Sequence, residues 1–449
     1  MQPRNSLDDP ETQRPITHGA QASELEVRGS GCGSEPHSAG ISANIIKSIS
    51  YNSRTQVFEA VPCPPIRGHP LVESPPDAYE PDPISEIAVP AVNDSSKSRI
   101  VIAMSGGLDS SVAAARLVDE GYEVIGVTLH LWENADPALQ SRCCAPEDRR
   151  DARRVADQLG FPHYTLDRRE QFGREIVEPF VDAYLTGRTP SPCGPCNERI
   201  KIPALLRFAQ LIDAPFVATG HYARIVGKES PRLARGVDRR KDQSYFLSTL
   251  DACTLRRLRL PLGQDTKEQV RAEAIRRGLV GSSKGESQDL CFVPDGSYAR
   301  FVAERAGERV RPGWVVDENG RRLARHEGIH HFTLGQRKGL GIAVGRAVFV
   351  TRIDAEQGLV VVQDAGAGRV TAVTIARPTL ALGVELPVHA VLQVRYRDGG
   401  AAAWLDMTDD GCVRARFDEP IRCASPGQLA VAYVDDEVVL GGTITACEH

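Results

Sequence analysis

The sequence predicts an α/β protein: a doubly wound parallel sheet, then a basic central domain, then an all-β C-terminal part. Three observations predict it. Short apolar runs alternate with helical stretches from residue 99 to about 219. A Gly-rich turn joins the first run to the first helix. From about residue 347, β-branched runs alternate with Gly, Asp and Pro turns, as in a sandwich or barrel of about 100 residues. The chain has 449 residues, room for about three domains.

Residues 1–98 hold 13 of the 30 prolines and 14 serines, without hydrophobic periodicity. Such a segment buries too little surface to offset its ordering entropy, so a disordered N-terminal extension is expected. It lacks a basic-then-apolar leader, and no run of about 18 apolar residues occurs, which points to a cytoplasmic protein with no membrane partner. A domain on the parallel sheet is expected over 99–262, with strands at 100–104, 124–129, 163–166 and 216–219. Helices are expected at 110–120, 148–159, 176–185 and 197–211, the last despite Pro203. The central domain is expected over 263–346, opening with a helix over 266–278 that Thr266 and Gln269 cap and Gly278 stops. The β domain is expected over 347–449, with runs at 348–350, 359–362, 370–375, 391–394, 431–434 and 438–440.

The net charge of −5 is segregated: residues 201–350 carry 27 Lys+Arg and 16 Asp+Glu, net +11. That block suits a polyanion, or solvated helix faces. The turn Ser105-Gly106-Gly107-Leu108-Asp109-Ser110-Ser111 lies between strand and helix, where backbone N–H groups and the helix dipole hold a phosphate. Ser105, Ser110 and Ser111 offer hydroxyl donors. Asp109 is unfavourable beside a phosphate unless a cation is shared, which suggests Mg²⁺. No Walker A or G-x-G-x-x-G pattern is present.

Of 11 cysteines, Cys193 and Cys196 form a Cys-Gly-Pro-Cys loop before the helix from Asn197. The dipole favours thiolate there, making Cys196 a candidate nucleophile. Three readings stay open: a redox or nucleophilic pair, a metal or iron–sulfur site with Cys143, Cys144 or Cys291, and an inert pair. Cys291 follows a Gly/Ser-rich stretch suited to a mobile loop.

The turn resembles the pyrophosphate loop of ATP pyrophosphatases. From residue 99 to about 446 the chain resembles the tRNA-specific 2-thiouridylases of the MnmA type. The matching stretches are 104–111, 187–201, 218–222, 241–247, 289–292, 333–341, 394–397 and 425–428. The resemblance implies an adenine nucleotide alpha hydrolase-like sheet, a C-terminal β-barrel, and ATP-dependent sulfur transfer to the C2 position of the wobble uridine. It implies that Ala103, Met104, Ser105, Gly106, Gly107, Leu108, Asp109 and Ser110 line the ATP phosphates, with Leu129 and Gly220 on the nucleotide. Cys196 matches the nucleophile and Cys291 the persulfide carrier, the two forming a disulfide in turnover. Ser191, Pro192 and Cys193 match the segment meeting the target base. His221, Lys241, Asp242, Gln243, Arg395, Tyr396 and Gln428 match contacts to tRNA. The implied partners are the tRNA anticodon loop and a persulfide donor protein, with no DNA and no bound metal beyond Mg²⁺. Two positions depart from the family: Cys193 stands where many members carry Asp, and Leu129 replaces an expected Met. Cys193 is open to three roles: thiolate base, resolving thiol or ligand. Rival readings are another ATP pyrophosphatase with a small-molecule acceptor, a tRNA-binding protein without chemistry, and an iron–sulfur thiolase using Cys193, Cys196 and Cys291.

Overall fold

The computed structural model describes residues 97–133, 146–279, 290–293, 297–364 and 367–449. The expected extension, Cys143, Cys144 and the stretch before Leu290 lie outside the described residues. The chain opens with β1 (Arg99–Ala103), α1 (Leu108–Asp119), β2 (Glu123–His130), α2 (Pro146–Leu159) and β3 (His163–Asp167). After α3 (Arg169–Phe172) and a π-helical turn, α4 (Glu178–Leu185) leads to a loop and α5 (Cys193–Pro195). A second π-helical turn, Cys196–Lys201, joins α5 to α6 (Ile202–Leu211). The helix expected over 197–211 therefore begins earlier, at Cys193. Pro203 has no N–H for the Arg199 carbonyl, and the wider turn before it absorbs that break.

β4 (Phe216–Ala218) follows, then β5 (Ala223–Val226), β6 (Arg232–Arg235), α7 (Ala252–Arg257), β7 (Leu258–Arg259) and α8 (Lys267–Arg276). Five strands form one sheet in the order β3-β2-β1-β4-β7, with every pairing parallel. Burial explains the apolar runs: Ile100, Val101 and Ile102 are fully buried. The order reverses between β1 and β4, so their carboxyl ends open the crevice where such sheets bind ligands.

The middle of the chain gives α9 (Tyr298–Ala306), β8 (Gly313–Val316), β9 (Arg322–His326), β10 (Val348–Asp354) and β11 (Leu359–Asp364). These strands pair in the order β10-β11-β8-β9. Periodicity had grouped the runs at 348 and 359 with the later strands, but β11 lies parallel to β8. Pairing partners are non-local, and alternation within a strand does not reveal them.

The remaining strands are β12 (Val370–Leu380), β13 (Val388–Gln393), β14 (Ala401–Met407), β15 (Val413–Ile421), β16 (Leu429–Val434) and β17 (Glu437–Glu448). They run β12-β15-β14-β13-β16-β17, and β12 also pairs with β17, closing a six-stranded barrel. The β5–β6 hairpin extends the barrel sheet through Ala234 opposite Glu437. β14 was missed because its Ala401-Ala402-Ala403 start carries no strand propensity. It becomes a strand by pairing on both sides.

Candidate active site

The turn after β1 is shaped by bonds within it. The Ser105 N–H donates to Ser110 Oγ at 3.2 Å, and Ser110 Oγ donates to the Gly107 carbonyl at 3.0 Å. Ser111 Oγ donates to the same carbonyl at 2.9 Å. The Ser110 and Ser111 hydroxyls, expected as phosphate donors, thus brace the turn. Gly106 has φ +72°, and a Cβ there would lie 2.1 Å from the Asp148 carbonyl oxygen. Only glycine meets both conditions. Gly220, after β4, lies against the Asp109 and Ser110 backbone, so both loops of the crevice meet at the start of α1.

Asp109 differs from expectation. Lys267 Nζ lies 2.7 Å from both of its carboxylate oxygens, and the Tyr222 hydroxyl donates to Oδ1 at 2.7 Å. The cation beside Asp109 is therefore a lysine from α8, and the argument from Asp109 to Mg²⁺ falls. Among the described residues no three His, Cys, Asp or Glu side chains converge to hold an ion, Cys193, Cys196 and Cys291 included.

Cys196 is buried in an apolar cluster with Phe180, Ile200 and Phe292, and half-buried Cys291 packs against the same cluster. No disulfide joins the described cysteines, so the Cys196–Cys291 bond expected in turnover is not formed in this structure. Leu129, at the end of β2, packs against this cluster and also against the core beneath the sheet. Burial pushes the Cys193 thiol up, with Lys201 pulling it back. Burial thus favours the protonated form of this thiol.

The loop before these thiols is held by the barrel. Gln428 Nε2 donates to the Thr189 and Pro190 carbonyls at 2.8 and 3.2 Å. The Thr189 and Ser191 N–H groups donate to the Pro426 and Gly427 carbonyls. A Cβ on Gly194 would lie 2.6 Å from Leu429 Cδ1, so the barrel packs closely on the loop and a side chain there would displace Leu429. Pro192 caps the helix start, and Cys196 N–H bonds back to its carbonyl at 3.0 Å.

Three family models match consecutive parts of the chain: a tRNA methyl transferase HUP domain at 98–295, a tRNA methyl transferase PRC-barrel domain at 299–364, and an aminomethyltransferase beta-barrel domain at 372–444. The tRNA-specific 2-thiouridylase MnmA of Sorangium cellulosum is 52% identical over 366 residues, covering 80% of this chain and 95% of that one. The chain belongs to the MnmA family. Its relatives include the MnmA proteins of Carboxydothermus hydrogenoformans, 44% identical over 78% of this chain and 98% of that one, and Mycolicibacterium smegmatis, 46% identical over 77% and 99%.

The residues matched to MnmA tRNA contacts separate in this structure. Lys241, Asp242 and Tyr396 line one cleft of about 1020 Å³ with Arg239, Arg240, Arg271 and Arg397. Asp242 is buried and accepts from the Gly236 and Ser244 N–H groups, Ser244 Oγ and Arg235. Gln243 Oε1 accepts from the Tyr222 N–H at 2.9 Å. Arg395 donates to the Leu334 carbonyl at 3.1 Å and to Cys423 Sγ at 2.7 Å. His221 lies 2.7 Å from Thr219 Oγ1, and burial, helped by Lys201, holds its pKa down to about 3. Asp242, Gln243, Gln428 and Arg395 therefore brace loops in this MnmA chain, while Lys241 and Tyr396 are half-buried on the cleft wall, the Tyr396 ring 4.4 Å from that of Phe246. Lys267 was missed: nothing in its local sequence marks a lysine that a distant helix brings to Asp109.

Proposed function

We propose that the protein is an AMP- and pyrophosphate-forming tRNA-uridine 2-sulfurtransferase, acting on the wobble uridine at position 34. The observation that carries this reading is the packing of two thiols far apart in sequence, Cys196 and Cys291, against one buried apolar cluster, in a chain whose strand–turn–helix at 104–110 suits a phosphate. A small-molecule acceptor has no use for the basic cleft, and a binding-only role has no use for the thiol pair. Methyl transfer, the activity in two family-model descriptions, has no use for it either.

In this mechanism the N–H groups of the turn hold the triphosphate of ATP. The uridine O2 attacks the α-phosphorus, and pyrophosphate leaves toward the turn. Mg²⁺ bound to the triphosphate would supply charge neutralisation for the leaving pyrophosphate. A donor protein's persulfide charges Cys291. The terminal sulfur of Cys291–S–SH attacks C2, the C2–O bond breaks, and AMP leaves. Cys196 attacks the inner sulfur, so the S–S bond electrons stay with the sulfur on C2. A Cys196–Cys291 disulfide results, and an external dithiol reduces it. Leu129 and Gly220 shape the nucleotide crevice, and Ser191, Pro192 and Cys193 border the target base. The base leaves the anticodon stack to reach them. Lys241, Tyr396 and the arginines of the cleft engage the tRNA backbone, with His221 near the entrance. The cytoplasm, where the tRNA is, is the expected location; among the described residues no helix is long and apolar enough to cross a membrane.

The test is nucleoside mass spectrometry of unmodified tRNA incubated with protein, ATP and a persulfide donor. 2-Thiouridine at position 34 is expected, and none with Cys196→Ser or Cys291→Ser, since a hydroxyl carries no persulfide. Normal thiolation by either variant, or activity lost together with stoichiometric iron on chelation, would overturn this route.

A further inference from the structure

The nucleotide turn contains a carboxylate but no lysine of its own. Lys267, 158 residues further on, supplies the cation. Its ammonium contacts both oxygens of Asp109, and the Tyr222 hydroxyl holds Oδ1. The Lys267 side chain is 11% exposed and that of Asp109 is 34% exposed. The contact is built in from both helices. Arg116 on α1 reaches Asp265 and Glu273 at 2.6 Å each, and Arg277 bonds Asp119 across the same interface. The Lys267 N–H donates to buried Asp238, and the Thr266–Gln269 capping box fixes the start of α8.

We propose that Lys267 is a positioning residue for the nucleotide: it cancels the charge of Asp109 so that the turn accepts a triphosphate. The proposal rests on reading residues 104–110 as the ATP loop. A bare carboxylate among N–H groups aimed at an anion repels that anion, and the repulsion grows where the site excludes water. With the lysine in place the turn is neutral, and Asp109 stays aimed. Lys267 also borders the basic cleft, so contact with RNA is the competing role.

The experiment measures ATP and tRNA dissociation constants on the full chain for Lys267→Met, Lys267→Arg, Asp109→Asn and the Lys267→Met/Asp109→Asn pair. Lys267→Met is expected to weaken ATP binding about tenfold or more, and tRNA binding less than about threefold. Lys267→Arg is expected to keep most ATP affinity. The double variant should bind ATP more tightly than Lys267→Met while turnover stays lost. A structural ion pair would give the same reversal only together with matching changes in stability. Thermal melts of each variant without ATP are therefore run beside the titrations, and melting midpoints that track the ATP affinities would also overturn the proposal. Unchanged ATP affinity in Lys267→Met, a loss confined to tRNA, or a double variant no better than Lys267→Met would each overturn the proposal. Failure of the unaltered protein to bind ATP would overturn the ATP reading itself, and this proposal with it.

Discussion

Ser105 and Ser110, five residues apart, shape the nucleotide turn by bonds to each other and to Gly107. The thiol loop from Gly187 to Cys196 is held instead by Gln428, 239 residues from Thr189 in sequence, and by Leu429 against Gly194. The first is a strand–turn–helix unit that carries its own instructions. The second is proline-rich chain that acquires its shape when the barrel docks on it. Damage to the barrel should therefore reach sulfur transfer and spare nucleotide binding.

The sharpest way to break that contrast is Gly106→Ala. It puts a Cβ into the Asp148 carbonyl and forces a left-handed alanine. ATP affinity is expected to fall more than about 100-fold, with a stability loss of about 2–4 kcal/mol. Calorimetric ATP titration and denaturant melts check both. Retained ATP affinity would show that the turn tolerates reshaping.

Gln428→Ala should act on the other region alone. Losing two side-chain bonds to the loop is expected to lower sulfur transfer about tenfold, while ATP affinity stays within about twofold. Single-turnover thiolation set beside ATP titration separates the two. An equal loss in both would mean that the barrel also supports the nucleotide site.

A smaller effect concerns the basic cleft, outside both regions. Log tRNA affinity should fall linearly with log salt, and Lys241→Ala should make that slope shallower by about 0.7–0.9, one phosphate contact. Filter binding across a salt series reads it. An unchanged slope would take Lys241 out of the interface.

The smallest expected effect separates the regions by pH. Thr128 Oγ1 donates to the Met104 carbonyl at 2.7 Å, so its oxygen accepts from His163 Nε2 at 2.8 Å. Burial, with Arg153 helping, lowers the His163 pKa to about 4. A base depressed on folding is protonated first in the unfolded chain, so its contribution is full above pH 6.5. That contribution falls as pH drops from 6.5 toward 4. Denaturant midpoints between pH 7 and 4.5 should decline, and His163→Gln should flatten part of that decline. An identical decline in the variant would assign it to other groups.

Much of the first region was legible in residues alone. The alternating runs placed β1, α1, β2, β3 and β4, and the turn announced itself by its glycines and its place between strand and helix. The capping box of α8 formed as its two residues foretold. The Cys-Gly-Pro-Cys loop could be read as chemistry but left three roles open. Its family match rested on long motifs, not on spacing.

Local sequence determined what short-range forces settle: which stretches are strand or helix, where a helix is capped, and where only glycine adopts the backbone. Tertiary structure decided what depends on partners far along the chain. It gave Asp109 a lysine partner and turned Gln428 and Asp242 into braces. It paired β10 and β11 with β8 and β9, and set Cys196 and Cys291 against one buried cluster. The physical reason is common to all four. A charge or a strand edge is satisfied by whichever complementary group the fold brings within a few ångströms, and sequence separation does not enter that distance.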